Sequence, residues 1–171
     1  MKIVLVGYMG SGKSTVGQSL ARELNLQFLD LDTYIEKAMG TTIPDLFETK
    51  GEIFFRKKEY EYLNEILREN KNFVLSTGGG TPCYSGNMDT ILAHTPYSVY
   101  LKVSIMELVK RLSVGKEHRP LIKDIATDDL PEFFGKHLFE RSPYYNKAKH
   151  ILNCDGKEPL AIVAEIKELL L

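Results

Sequence analysis

The stretch Gly7-Tyr8-Met9-Gly10-Ser11-Gly12-Lys13-Ser14 follows directly on the apolar run Ile3-Val4-Leu5-Val6, and no other feature restricts the fold as much. It satisfies the pattern G-x-x-x-x-G-K-S/T in the setting that gives the pattern meaning, a short β-branched strand before it and a helix-forming stretch, Thr15 to Leu24, after it. Glycines at 7, 10 and 12 let consecutive backbone N–H groups turn inward, and the following helix adds its unpaired amides and positive dipole end. Such a nest holds a polyphosphate. Gly10, Ser11, Gly12 and Thr15 would cradle it, Lys13 would reach the β- and γ-phosphates, and the Ser14 hydroxyl would ligate Mg²⁺.

The rest of the chain alternates short apolar runs with helical periodicity, without internal repeat or Pro/Gly/Ser linker. Strands are expected at Lys2 to Val6, Gln27 to Leu31, Asn72 to Thr77, Ser98 to Val103 and His150 to Asn153. The clearest helices are Lys13 to Leu24, Glu52 to Glu69, Ile105 to Leu112, Asp129 to Lys147 and Glu158 to Leu170. This order predicts an α/β fold of three α/β/α layers, with a central parallel sheet of about five strands. At 171 residues with 43% hydrophobic composition the chain fits one domain, 1–171. A net charge of -1 argues against a nucleic-acid partner. With no signal-peptide pattern and no run near the ~20 apolar residues of a membrane span, a cytoplasmic protein is expected. Cys83 and Cys154 lack metal-ligand spacing and are expected as free thiols.

In an open parallel sheet the ligand crevice lies beyond the carboxyl ends of the strands. The second expected strand ends in Phe28-Leu29-Asp30-Leu31-Asp32, where strand alternation would put both carboxylates on one face. Asp30 is the candidate for Mg²⁺ and Asp32 for orienting or deprotonating an attacking hydroxyl, and like charges so close would raise one pKa. Alternatively, Asp32 caps a helix starting at Thr33 and Asp30 is a solvated strand end. Arg56 lies early in its helix, where the dipole disfavours a cation, so either an anionic partner or a salt-bridged surface explains it. The third strand leads into Gly78-Gly79-Gly80 without the aspartate that commonly holds Mg²⁺ there, and Ser76 or Thr77 stands in its place. The glycines would present bare amides to a small substrate, or simply form a turn. Residues 113–124, with Gly115, Lys116, Arg119 and Lys123, read as a lid or as an ordinary charged loop. Arg141 offers another planar guanidinium, and Asn153 to Pro159 lies where such folds place a nucleotide base.

Taken together and in order, the glycine-rich loop, Asp30-Leu31-Asp32, Phe55-Arg56, Gly78-Gly79-Gly80, Arg119-Pro120-Leu121 and Arg141-Ser142-Pro143-Tyr144-Tyr145 resemble the shikimate kinase family over nearly the whole chain. The resemblance implies a nucleoside-monophosphate-kinase-like P-loop fold with a mobile lid. It implies ATP-dependent phosphorylation of the 3-hydroxyl of shikimate, a step of aromatic amino acid (chorismate) biosynthesis. By position, Asp32 is similar to the family's hydroxyl ligand and proposed base, with Lys13 and Arg119 as its catalytic companions. Arg56 and Arg141 look like the carboxylate ligands, and Gly78, Gly79 and Gly80 like the wall of an acceptor region spanning about 32–62 and this loop. Asp30 resembles the residue near Mg²⁺, and Arg111 with Pro159 the pair bracketing adenine. Shikimate is a small triol with one carboxylate, which two arginines and a carboxylate suit. The implied partners are ATP and shikimate, the cofactor Mg²⁺ and the state a monomer. Rival readings are a kinase for another small acceptor such as gluconate, and a nucleotide-binding switch; Asn146-Lys147-Ala148-Lys149 lacks the aspartate of the guanine-recognition pattern.

Overall fold

The computed structural model describes residues 1–69 and 71–171. Five strands, β1 (Lys2–Val6), β2 (Gln27–Asp30), β3 (Phe73–Ser76), β4 (Tyr97–Lys102) and β5 (His150–Asn153), form one sheet in the order β2-β3-β1-β4-β5 with every pairing parallel. Among the described residues eight α-helices flank it: α1 (Lys13–Leu24), α2 (Leu31–Met39), α3 (Ile43–Lys50), α4 (Glu52–Arg68), α5 (Asn87–His94), α6 (Ile105–Ser113), α7 (Leu130–Tyr145) and α8 (Pro159–Leu169).

The central strand explains the near-continuous apolar reading of the sequence. Ile3, Val4, Leu5 and Val6 are all 0% exposed, because β1 is paired on both edges and covered on both faces, so neither side chain set meets water. Chain order also locates the crevice. β1 departs through α1 towards β2 on one side, whereas β3 crosses to β4 on the other, so the carboxyl ends of β1 and β3 open a gap into which both following loops face.

Helix starts follow local chemistry. Ser104 caps α6 by accepting from the Glu107 amide at 3.2 Å, and Thr42 caps α3 by accepting from the Asp45 amide at 3.3 Å, with Pro44 in the first turn. The start of α1 has no side-chain cap: Gly12, at φ 92°, turns the chain into the helix and leaves the first amides to face the loop.

Three expectations are corrected. β2 ends at Asp30, and Leu31 already opens α2, so Asp30 and Asp32 do not share a strand face. The cap of α2 is Asp30, not Asp32: Asp30 Oδ1 accepts from the Thr33 amide at 3.1 Å. Helices α3 and α5, of eight residues each, were not among those expected, and α2 was expected only in the alternative reading, as a helix starting at Thr33. The remaining elements end within two residues of the expected limits, as fraying ends do.

Candidate active site

Two clefts meet over the carboxyl edge of the sheet. The first, of about 380 Å³, is built on the loop after β1 and includes Gly10, Gly12, Lys13, Ser14 and Thr15. Asp30, Asp32, Ser76 and Arg119 close it from other elements. The second, of about 240 Å³, includes Arg56, Glu59, Gly80 and Arg141 over an apolar floor of Ile43, Phe47 and Phe55. Met9, Asp32, Gly78 and Gly79 line both. Asp32 therefore borders both the cleft on the glycine-rich loop and a small amphipathic one.

Electrostatics in the first cleft follow from burial. Lys13, 8% exposed, donates from Nζ to the carbonyls of Gly7 at 2.7 Å and Tyr8 at 2.9 Å. Desolvation lowers its pKa to about 8, with Asp32 and Asp30 opposing the fall. Asp32 is raised to about 6, first by desolvation, then by the negative charges of Asp30 and Glu59, with Lys13 pulling the other way. The expected carboxylate pairing is thus real in energy, although a strand end and a helical first turn create it.

The metal-ligating candidates also converge. Ser14 Oγ donates to Asp30 Oδ2 at 2.9 Å and lies 3.5 Å from Ser76 Oγ. Thr77, by contrast, donates to the Leu5 carbonyl at 3.0 Å, so Ser76 is the residue that occupies the place of the missing aspartate. Hydroxyls and carboxylates alone make a hard, oxygen-only donor set, which fits Mg²⁺ and not a softer metal.

In the second cleft three glycines stand against three charged side chains. A Cβ on Gly78 would lie 3.0 Å from Asp32 Oδ1, on Gly79 3.5 Å from Arg141 Nη1, and on Gly80 2.8 Å from Arg56 Nη2. At Gly78 and Gly80 the absence of a side chain is what lets Asp32 and Arg56 lie on the backbone wall, whereas Arg141 stands at ordinary van der Waals distance from Gly79. Arg56 stacks on Tyr84, 3.8 Å from the ring centroid, and Nη1 donates to Glu59 Oε1 at 2.8 Å. Glu59, 1% exposed, also accepts from Thr81 Oγ1 at 2.8 Å. Arg56 Nε is buried without a hydrogen-bond partner among the described residues, a spare donor beside a cleft that would take an anion. Tyr145 donates to the Gly79 carbonyl and holds the glycine loop from behind.

A third cavity, of about 360 Å³, lies beyond Gly12 and joins Arg111 to Pro159. Arg111 is fixed there by Glu107 at 2.9 Å and by the carbonyls of Gly10 at 3.2 Å and Cys154 at 3.1 Å. All the sequence-predicted residues are therefore found along one continuous surface, Ser11 lining this third cavity. In residues 113–124, Ile122 is fully buried, whereas Leu121 is 63% exposed and lines the second cleft. A further concavity, of about 680 Å³ around Glu52, Ile53 and Tyr60, also touches Arg56 and Tyr84; it is lined neither by the glycine-rich loop nor by Asp32.

A family model described as shikimate kinase matches residues 9–171. The chain belongs to the shikimate kinase family. A shikimate kinase of Flavobacterium psychrophilum is 47% identical over 169 residues, 99% of this chain and 98% of that one. The crystal structure of shikimate kinase from Bacteroides thetaiotaomicron has a TM-score of 0.92 at 38% identity, covering 99% of this chain and 98% of that one. Shikimate kinase from Acinetobacter baumannii, solved in complex with shikimate, has a TM-score of 0.88 at 34% identity, covering 99% and 92%. A shikimate kinase needs a nucleotide cleft beside a small-acid cleft, which is the arrangement around Asp32.

The sequence did not single out Glu59, Thr81, Tyr84, Tyr8 or His137 as site residues. Glu59 carried a signal, since a carboxylate three residues after an arginine on a helix shares its face. For Tyr84, Tyr8 and His137 no local pattern existed.

Proposed function

We propose that the two clefts bind ATP and shikimate and that Asp32 at their junction receives the acceptor hydroxyl, so that the γ-phosphoryl group of ATP passes to the 3-hydroxyl of shikimate and ADP departs as the leaving group. The position of Asp32, lining both clefts with its carboxyl raised to about 6, is the observation that carries this reading. Arg56 and Arg141 clamp the acid's carboxylate, their planar guanidiniums matching its two oxygens. Gly78, Gly79 and Gly80 form the wall on which the ring rests.

The loop amides from Gly10 to Thr15 hold the polyphosphate, and Arg111 with Pro159 brackets the adenine. As the acceptor oxygen approaches, Asp32 orients its hydroxyl and takes up the proton. Lys13, Arg119 and the loop amides stabilise the charge that spreads over the transferring phosphoryl oxygens. Closure of residues 113–124 carries Arg119 over the phosphates and excludes water. Ser14 and Asp30, with Ser76 beside them, would hold Mg²⁺, which supplies charge neutralisation on the phosphates.

We read the whole chain, 1–171, as one kinase domain acting as a cytoplasmic monomer on two small molecules. Among the described residues no helix is long and apolar enough to cross a membrane. ATP consumption measured against shikimate, gluconate and nucleoside monophosphates tests the substrate: turnover should be confined to shikimate. Faster turnover of gluconate or a nucleotide would overturn the assignment.

A further inference from the structure

The mechanism above gives no role to His137, a titratable side chain that lines the acceptor cleft. It lies on α7 one turn before Arg141 and faces the acceptor cleft. Phe133 packs against its ring, with centroids 4.5 Å apart, and its Nδ1 stands 2.7 Å from the hydroxyl of Tyr8. Tyr8 is 2% exposed, and its ring also lies beneath the Arg141 guanidinium, 5.7 Å from centroid to Cζ. A residue of the nucleotide loop thus braces two residues of the acceptor helix.

The direction of that hydrogen bond follows from satisfaction. If Nδ1 carried the proton, the buried phenol would have no acceptor among the described residues for its own O–H. Tyr8 therefore donates to Nδ1, and the imidazole proton sits on Nε2. Burial and the neighbouring Arg141 cation depress the His137 pKa, with Glu140 opposing, while burial raises that of Tyr8, so both groups stay neutral. Among the described residues, Nε2 makes no hydrogen bond.

The acceptor has more polar groups than its assigned side-chain partners serve. This step rests on the reading above that the cleft takes shikimate. Its carboxylate meets two guanidiniums and its reacting hydroxyl meets Asp32, while Glu59 is already engaged by Arg56 and Thr81. Two ring hydroxyls remain over a floor of Ile43, Phe47 and Phe55, and His137 is the neutral side-chain donor within that wall. We propose that His137 Nε2–H donates a hydrogen bond to a ring hydroxyl of shikimate other than the one phosphorylated, and that Tyr8 is a positioning residue that fixes the donor tautomer.

Steady-state kinetics of the full chain with shikimate, 4-deoxyshikimate and 5-deoxyshikimate test this. Wild-type turnover of shikimate checks the underlying reading separately, and its absence would bring down both. His137→Leu should raise KM for shikimate about 3- to 10-fold, the size of one neutral hydrogen bond, with KM for ATP within twofold of wild type. His137→Gln, whose amide nitrogen can reach the place of Nε2, should recover most of the loss, and Tyr8→Phe should fall between. For one of the two deoxy acceptors His137→Leu should cost nothing further. An unchanged KM for shikimate, an equal penalty on all three acceptors, or a parallel rise in KM for ATP would each overturn the proposal.

Discussion

Asp32→Asn should make the protein more stable at pH 8 while abolishing most turnover. The Asp32 carboxyl is raised from the usual 3.8 to about 6, so the folded state binds its proton more tightly than the unfolded state does. Between these values stability falls as pH rises, and the penalty is fully present above about 6 and absent below the unfolded value. Two pH units correspond to about 3 kcal/mol at 1.36 kcal/mol per unit. That figure already contains the opposing attraction of Lys13, so a gain of about 3 kcal/mol is expected. For a chain of this size that is a rise in Tm of roughly 6–12 °C. Thermal and urea unfolding of both proteins from pH 4.5 to 8 measures it: the curves should converge at the acid end and separate through about pH 6. A variant less stable than wild type at pH 8, or a difference independent of pH, would refute the reasoning. Wild-type kcat/KM should rise through the same interval and level off above it, because the carboxylate is the form that accepts the proton.

Three further outcomes follow from the acceptor and nucleotide walls. Glu59→Gln leaves the Arg56 cation half of a broken, mostly buried pair, which should cost about 3 kcal/mol and raise KM for shikimate; unchanged thermal unfolding would contradict it. Gly80→Ala is allowed by its backbone, at φ -86° and ψ -15°, but pushes Arg56, so KM for shikimate should rise roughly tenfold with Tm nearly constant. Arg111→Ala should raise KM for ATP roughly tenfold and leave that for shikimate unchanged in the same kinetic assay.

The fold was legible where one physical cause governs each residue. A strand paired on both edges and covered on both faces must be apolar throughout, so Ile3 to Val6 could be read directly. Helices α2 and α3 are set instead by caps at Asp30 and Thr42, local hydrogen bonds that a reading of apolar periodicity does not weigh. The pairing of Asp30 with Asp32 was anticipated for a reason that the chain does not use. Strand alternation and a strand-to-helix turn both bring residues two apart towards the same cleft, and the sequence cannot distinguish them. Among the candidates, Arg56 had two readings. Its helix does carry the ion pairs of the bland one, to Glu59 and near Glu52, yet those contacts hold the guanidinium against Gly80 and the cleft.

By itself the sequence determined the nucleotide half of this protein, because a phosphate nest is made from consecutive backbone amides and its chemistry is written in one uninterrupted stretch, Gly7 to Ser14. It also determined that the sheet is parallel, through the order of its elements. The acceptor half belongs to tertiary structure. Asp32, Arg56, Glu59, Gly78 to Gly80, His137 and Arg141 come from four separate parts of the chain, and what each can do depends on its neighbours. Burial beside Asp30 and Glu59 raises Asp32, a phenol from the nucleotide loop orients His137, and bare backbone at Gly80 gives Arg56 room. Those are effects of distance through space, which spacing along the chain does not encode.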